Sequence, residues 1–366
     1  MSDNELISLL ALQQLSNIGD STAKKLLQHL GSAEAIFKEK KQNLLKIEGI
    51  GSIKVKDLHN PDHIEAAEKE LQYIRDNNID VHYFKDKSYP ERLKYCMDGP
   101  ILLFSRGNID LQNKKILSIV GARKVTTHGI AFTEKFIEEL APVNPVIVSG
   151  FAYGVDITAQ KAAVKNNLQT IGCLAHGLNQ IYPKTHEKYV KEVIENGGFF
   201  TDFWSTSNFD RNNFLKRNRI IAGLSEATVV IESAEKGGSL VTADIANSYN
   251  REVFAVPGRS TDAQSKGCNN LIKSQQAHLL TSAADLIYLL DWELKEKKQP
   301  IQKQLFVELE PEEKAVFSFL KNQGKEQMDL IGIGCNLPTY KLATILFNME
   351  MKGVVRPLPG KTFELA

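Results

Sequence analysis

The chain has 366 residues, 42% hydrophobic and 24% charged, ordinary proportions for a soluble globular protein with room for two or three domains. Its 45 Lys and Arg against 44 Asp and Glu leave a formal charge of +1, which excludes a protein that coats nucleic acid through a broad basic face. No run approaches the roughly 18 apolar residues of a membrane span, and neither a basic leader nor CxxC spacing among Cys96, Cys173, Cys268 and Cys335 is present, so a cytoplasmic protein without membrane anchor, zinc cluster or disulfide framework is expected.

Residues 1 to about 60 read as short helices with a weak repeat. Ile18-Gly-Asp-Ser-Thr-Ala-Lys-Lys-Leu26 lines up with Ile50-Gly-Ser-Ile-Lys-Val-Lys-Asp-Leu58. Each is an Ile-Gly turn before a basic helix start and resembles the helix-hairpin-helix module, in which glycine N–H groups can contact a DNA phosphate. The other reading, a packing unit without DNA contact, is preferred. A charged helix follows over 61–77, then a connecting segment over 81–108 with turns at Tyr89-Pro90 and Gly99-Pro100.

From Lys115 the period changes. Ile116-Leu-Ser-Ile-Val120, Val146-Ile-Val148, Thr170-Ile-Gly-Cys-Leu174, Thr228-Val-Val-Ile231 and Val253-Phe-Ala-Val256 are apolar runs ending at turns, with helical spacing between most of them. Continuous apolar strands alternating with helices predict an α/β doubly wound parallel sheet, whose ligands sit outside the carboxyl ends of the strands. Residues 291–308 read as a polar linker, and 309–366 as three helices and a hairpin, a winged-helix-like pattern. The expected domains are a helical one over 1–80, the sheet over 81–290 and the winged-helix-like one over 309–366.

The turns carry the candidate site. Phe214-Leu-Lys-Arg-Asn-Arg-Ile-Ile-Ala-Gly-Leu-Ser225 reads as a basic turn beside a helix start, placing Lys216, Arg217 and Arg219 near unpaired helical N–H groups that attract anions. A charge beside a buried element needs a partner, so Arg219 serves either a ligand or an internal carboxylate. Gly121-Ala122-Arg123, directly after the first strand, lets the backbone approach a ligand, and the arginine can fork onto phosphate. It matches neither GxGxxG nor GxxxxGK[ST]. Gly237-Gly238-Ser239 is an anion cradle, a helix N-cap, or both. Lys184, after Tyr182-Pro183 and near His186, adds a cation. Nothing in the pattern demands catalysis, a metal or a cofactor.

At these residues the sequence resembles the DNA-processing protein A (DprA, or Smf) family. The likeness runs through Tyr89-Pro-Glu-Arg-Leu93, Gly121-Ala-Arg123, Val148-Ser-Gly150, Gly154-Val-Asp156, Gly177-Leu-Asn179, Tyr182-Pro183, Lys216-Arg-Asn-Arg-Ile-Ile-Ala-Gly-Leu-Ser225, Gly238-Ser-Leu-Val-Thr-Ala243 and Val256-Pro-Gly258. It implies an extended Rossmann-like domain that binds single-stranded DNA in a basic pocket and forms a homodimer, with an N-terminal helical and a C-terminal winged-helix-like domain. It further implies a non-enzymatic role in natural transformation: protecting incoming strands, loading the RecA recombinase and helping displace single-strand binding protein. Carried over, Arg123 is the phosphate-gripping residue, Lys184 a neighbouring cation, and Arg217, Arg219 and Ser239 line the same pocket. Ala122 stands where the family usually has serine, and Tyr153 where it has arginine, so fewer polar contacts and an aromatic substitute are expected.

Two other readings compete. A nucleotide phosphoribohydrolase of the lysine-decarboxylase-like fold would carry Pro-Gly-Gly-x-Gly-Thr-x-x-Glu; the turn Glu235-Lys-Gly-Gly-Ser-Leu-Val-Thr-Ala243 lacks the proline, the third glycine and the final glutamate. A transcription factor reading duplex DNA would present basic residues on its recognition helix, but the candidate over 337–352 offers only Lys341 and Lys352.

Overall fold

The five apolar runs of the α/β segment become neighbouring strands of one sheet. The structure, a computed structural model, describes residues 1–292, 309–358 and 360–365, and its contacts divide the chain into two units between Lys295 and Glu296. The first unit holds the strands β1 (Asp80–Tyr83), β2 (Leu102–Gly107), β3 (Ile116–Val120), β4 (Val146–Ser149), β5 (Thr170–Cys173), β6 (Gly197–Thr201), β7 (Ala227–Val230), β8 (Glu252–Ala255) and β9 (His278–Leu279). Their order is β1-β2-β6-β5-β4-β3-β7-β8-β9. Pairing is parallel from β6 through β9 and antiparallel for β1–β2 and β2–β6.

The sheet is therefore mixed rather than wholly parallel. The segment expected to be a plain connection supplies its antiparallel edge, and β6, which opens on Gly197-Gly198, was not expected at all. The strands that were legible are β3, β4, β5 and β7, buried at every position, and β8, buried at all but its first. Covered on both faces, they show no polar alternation.

The helices of this unit are α1 (Asp3–Gln14), α2 (Asp20–Leu30), α3 (Ala33–Lys38), α4 (Lys41–Leu44), α5 (Ser52–Val55), α6 (Asp62–Asp76), α7 (Glu91–Lys94), α8 (Thr127–Leu140), α9 (Val155–Lys165), α10 (Val190–Glu195), α11 (Arg211–Leu224), α12 (Gly238–Ser248), α13 (Lys266–Lys273) and α14 (Ala283–Leu289). Phe136, Ile137, Ala159, Ala163 and Leu286 of α8, α9 and α14 cover one face of the sheet. Ile220, Ile221, Leu224, Ala243, Ala246 and Leu271 of α11, α12 and α13 cover the other.

No break in packing marks the expected boundary at residue 80. Leu9, Leu12, Leu26, Leu27 and Ile36 share a core with Leu102, Phe104 and Trp204. Polar groups fasten the same seam: Gln13 Nε2 donates to Leu102 O (2.9 Å), Trp204 Nε1 to Gln13 Oε1 (3.2 Å), and Ser205 N to Glu70 Oε1 (2.8 Å). The first Ile-Gly hairpin is consumed by this packing. Ser21 Oγ donates to Met97 O at 3.2 Å, Lys24 Nζ to Cys96 O at 3.0 Å, and Asp20 accepts from Ile101 N at 2.8 Å.

The second unit contains α15 (Pro311–Gln323), β10 (Glu326–Gln327), α16 (Met328–Cys335), α17 (Thr339–Met351), β11 (Val355–Leu358) and β12 (Thr362–Leu365). The strands form an antiparallel sheet in the order β10-β12-β11. Val316, Leu320, Ile331, Leu342, Ile345, Leu346, Met349 and Val355 make its core. The expected three helices and hairpin are present, with β10 as an added strand. Of the expected linker, residues 293–308 lie outside the described residues. Among the described residues no single helix is long and apolar enough to cross a membrane.

Two outcomes follow from the buried charges and imidazoles. Arg219 sits between Asp20 (3.1 Å) and Asp202, with a side chain 13% exposed, so Arg219→Leu strands two mostly covered carboxylates and should cost about 3 kcal/mol. Urea unfolding followed through Trp204 fluorescence measures the loss; an unchanged midpoint contradicts it. His176 and His186 are buried, and burial holds both imidazoles below their usual value. A depressed folded pKa contributes stability that is present above the unfolded value near 6.5 and lost as pH falls through the folded one. Wild type should therefore lose more stability between about pH 7 and 5 than His176→Gln or His186→Gln does, each compared by urea midpoint at both pH values.

Candidate nucleic-acid interface

The strand order creates the site. β3 and β7 are neighbours, and the connection leaving β3 runs to β4 on one side while that leaving β7 runs to β8 on the other, so the two diverge and open a crevice at the carboxyl ends, the usual ligand position in such sheets. A cavity of about 520 Å³ lies there, with Gly121, Arg123, Phe214, Arg217, Gly238 and Ser239 in its wall. The turn after β3 is fixed from both sides: Ala122 N donates to Glu232 O (2.8 Å), and Val155 N donates to Ala122 O (3.2 Å). A Cβ on Gly121 would come within 2.5 Å of Val155 Cγ2. Gly154, at φ +77°, passes so close to the carbonyls of Ala122 and Arg123 that any side chain would collide with them.

Of the helix starts around this crevice, those of α8, α9 and α11 each have a carboxylate, Glu232, Asp156 and Asp210, and that of α12 has none in its first turn. At α8, Thr126 caps Gly129 N, while Glu232 accepts from Thr126 N (2.9 Å) and Thr126 Oγ1 (2.5 Å). At α12, the cap is Gly237 with no side-chain hydrogen bond. A Cβ on Gly238 would meet nothing within 4 Å; Leu240 N donates to Gly237 O at 3.1 Å, which leaves the N–H groups of Gly238 and Ser239 as the donors this turn has to offer. Ser239 Oγ donates to Ser233 Oγ at 3.0 Å, which orients this turn. An incoming anion finds its complement at α12.

The basic block differs from the sequence expectation. It is not a turn beside a helix start: Lys216, Arg217 and Arg219 lie in the middle of α11, which begins at the Asp210 cap. The α-helical period sends residues two apart to nearly opposite faces. Arg217 points to the sheet, donating to Gly150 O (2.7 Å) and Cys173 O (2.5 Å), and is 4% exposed. Burial pushes Asp156 above its usual carboxylate range and Arg217 below its own, each resisting the other's shift. Arg217 is thus part of the cavity floor, its fork occupied by the protein.

Arg219 points the other way, to Asp20, Asp202 and Asp98 O. Burial alone would lower its pKa, but Asp202 and Asp20 together hold it above the usual value. It therefore fastens α11 to the N-terminal helices and does not line the cavity. Lys216 is exposed in a separate groove with Asp98, Asp202 and Asp210, and Lys184 in another with Arg106, Leu178 and Ile181. Neither shares the cavity with Arg123. The structure brings together Gly121, Arg123, Arg217, Gly238 and Ser239, and sets Lys184, Lys216 and Arg219 apart.

Sequence reading raised Tyr182 and Tyr153 as aromatics that stack on a base or pack, and missed Phe209 and Phe214. Arg123, exposed at the rim, lies 5.1 Å from the centre of the Phe214 ring. Phe214, Phe209 and Tyr182 form one cluster, with ring centres 4.7 Å (Tyr182–Phe209), 5.6 Å (Phe209–Phe214) and 5.8 Å (Tyr182–Phe214) apart. Tyr182 is 41% and Phe209 48% exposed. Lys124 and Arg211 also line the cavity. Tyr153 is half-exposed and accepts from Thr185 Oγ1 at 3.2 Å. Phe209 and Phe214 stand five positions apart across a loop–helix junction, a spacing that announces no common face.

Comparison with known proteins agrees with this geometry. The family model described as DNA recombination-mediator protein A matches residues 80–291. Protein Smf of Synechocystis sp. is 30% identical over 314 residues, covering 83% of this chain and 79% of that protein. The structure of DNA processing protein A (DprA) from Streptococcus pneumoniae superposes with a TM-score of 0.67 at 30% identity, covering 80% of this chain and 99% of that one. The Helicobacter pylori DNA processing protein A, whose structure gives insights into its single-stranded DNA binding mode, superposes at 0.53 with 28% identity, over 59% of this chain and 97% of that one. The glycine turns at the strand ends, the strand order and these likenesses point the same way: the chain belongs to the DNA recombination-mediator protein A family.

Proposed function

We propose that this chain binds single-stranded DNA in the crevice between β3 and β7 and acts there as a non-catalytic recombination mediator. One observation carries the reading: an anion cradle and an exposed aromatic cluster share one rim. Gly121, Arg123, Gly238 and Ser239 offer N–H and guanidinium donors to a phosphate. Tyr182, Phe209 and Phe214 offer ring faces to unstacked bases, which a duplex does not present. The family membership extends the reading to natural transformation, in which the protein protects incoming strands, loads RecA and helps displace single-strand binding protein.

The assembly proposed is a homodimer joined at the β9 end of the sheet, where an edge strand lies beside exposed Leu279, Tyr288 and Leu289. The C-terminal unit is proposed as a winged-helix-like module that meets a protein. Its α17 exposes Tyr340, Phe347 and Met351, while Lys341 pairs with Glu312 and Lys352 with Glu313. A helix that enters a DNA groove usually presents unpaired cations.

The test is anisotropy of a labelled single strand and its duplex at two salt concentrations. Wild type should prefer the single strand. Arg123→Ala should weaken it about 10- to 100-fold, the worth of a charge-assisted bond to phosphate. Phe209→Ala should lose about 1–3 kcal/mol, as a stacked base does. Equal binding to both DNAs, untouched by either substitution, contradicts the proposal, and release of free base from a nucleoside monophosphate would favour the phosphoribohydrolase instead.

A further inference from the structure

The two Ile-Gly hairpins of the N-terminal helices have similar sequences and different surroundings. The first, at Ile18-Gly19, is spent on packing: Asp20, Ser21 and Lys24 all bond to the α/β part of the unit. The second, at Ile50-Gly51, is open. A Cβ on Gly51 would meet nothing within 4 Å, and Ile53 is 72% exposed.

Cations gather at this open hairpin. Between residues 38 and 57 there are six lysines against three acidic residues, in a chain whose total charge is +1. Lys54 Nζ donates to Gly49 O (2.9 Å) and Thr22 Oγ1 (3.1 Å). Lys25 Nζ, reaching across from α2, stands 3.6 Å from where a side chain on Gly49 would begin. Two ammonium groups thus converge on one glycine. Lys41 Nζ donates to Lys56 O and Lys46 Nζ to Asn43 Oδ1, both neutral acceptors. Among the described residues, Lys38 is ion-paired with Glu34, but Lys25, Lys41, Lys46, Lys54 and Lys56 have no ion pair. Of the three carboxylates in the stretch, Glu39 is bonded to Asn43 Nδ2 (2.7 Å) and Lys40 N (2.9 Å), and among the described residues neither Glu48 nor Asp57 is ion-paired with a lysine.

Like charges brought together without counter-ions raise the local potential, and a ligand carrying regularly spaced negative charge relieves it. We propose that the Gly49–Gly51 hairpin and its lysines form a second DNA contact, separate from the crevice, which grips the phosphodiester backbone without reading bases. The proposal does not require the crevice to be a DNA site. Backbone contacts of this kind carry affinity and salt dependence rather than sequence preference.

Lys25→Ala/Lys46→Ala removes two of these cations, neither of which supports the core. The full chain is titrated with three DNAs across a salt series: a strand of about ten nucleotides, a length that one site accommodates, a strand several times longer, and a duplex of that longer length. The double variant should bind the short strand as wild type does. On the longer strand its affinity should fall several-fold and its salt slope become shallower by about 1.4, or by about 1.8 on the duplex, as expected for two lost phosphate contacts. A change on either long DNA supports the contact and identifies which form it holds. Wild-type affinity and slope on both long DNAs, with an unchanged urea midpoint, overturn it. Lys25→Glu/Lys46→Glu gives a second reading and should enlarge the same losses. Failure of the crevice shows separately, as a short strand indifferent to Arg123→Ala.

Discussion

Helix α11 is pinned by two arginines that face opposite ways, Arg217 buried and Arg219 nearly so, and the rest of the unit is arranged around that constraint. Arg217 ties the helix to the carboxyl ends of β4 and β5 through Gly150 O and Cys173 O. Arg219 ties it to the N-terminal helices through Asp20 and to the loop after β6 through Asp202. A buried guanidinium is tolerated only when its donors and charge are answered nearby, so each arginine fixes the position of its partners. The first makes the crevice floor rigid. The second explains why the N-terminal helices and the sheet share one core.

This arrangement separates structural charge from charge offered to ligand. The crevice keeps its donors free by satisfying other groups internally. Glu232 answers the start of α8, Asp156 answers Arg217, and the start of α12 is left open beside exposed Arg123. A nearly neutral protein can therefore hold a local anion site. Its field is confined to a few residues, which limits non-specific attraction to nucleic acid at long range.

How much of this was legible depended on how local each cause was. β3, β4, β5, β7 and β8 were visible because continuous burial leaves a continuous apolar run. β6 was hidden because Gly197-Gly198 carries a turn's composition inside a strand that packs between β2 and β5. At the site, Gly121, Arg123, Gly238 and Ser239 were visible because they follow strand ends, where the fold places ligands. Lys216, Arg217 and Arg219 were read as one group because they are adjacent in sequence. Helical geometry turns Arg217 to the sheet and Lys216 and Arg219 to a groove on the other side, and only tertiary partners far along the chain, Asp20, Gly150 and Asp202, decide which is which. Lys184 was drawn in by the family likeness and the Tyr182-Pro183 turn, yet its side chain stands in another groove. The aromatic cluster joins Tyr182 and Phe209, from two different loops, to Phe214 of α11, and no common period links the three.

The account rests on one placement, that of a DNA phosphate at the start of α12. A crystal structure with a short single-stranded oligonucleotide tests it most directly. The account predicts a phosphate within hydrogen-bonding distance of the Gly238 or Ser239 N–H and the Arg123 guanidinium, with a base against Phe209 or Tyr182. A strand seated instead in the groove of Lys216, or in that of Lys184, with the crevice between β3 and β7 empty, would contradict it.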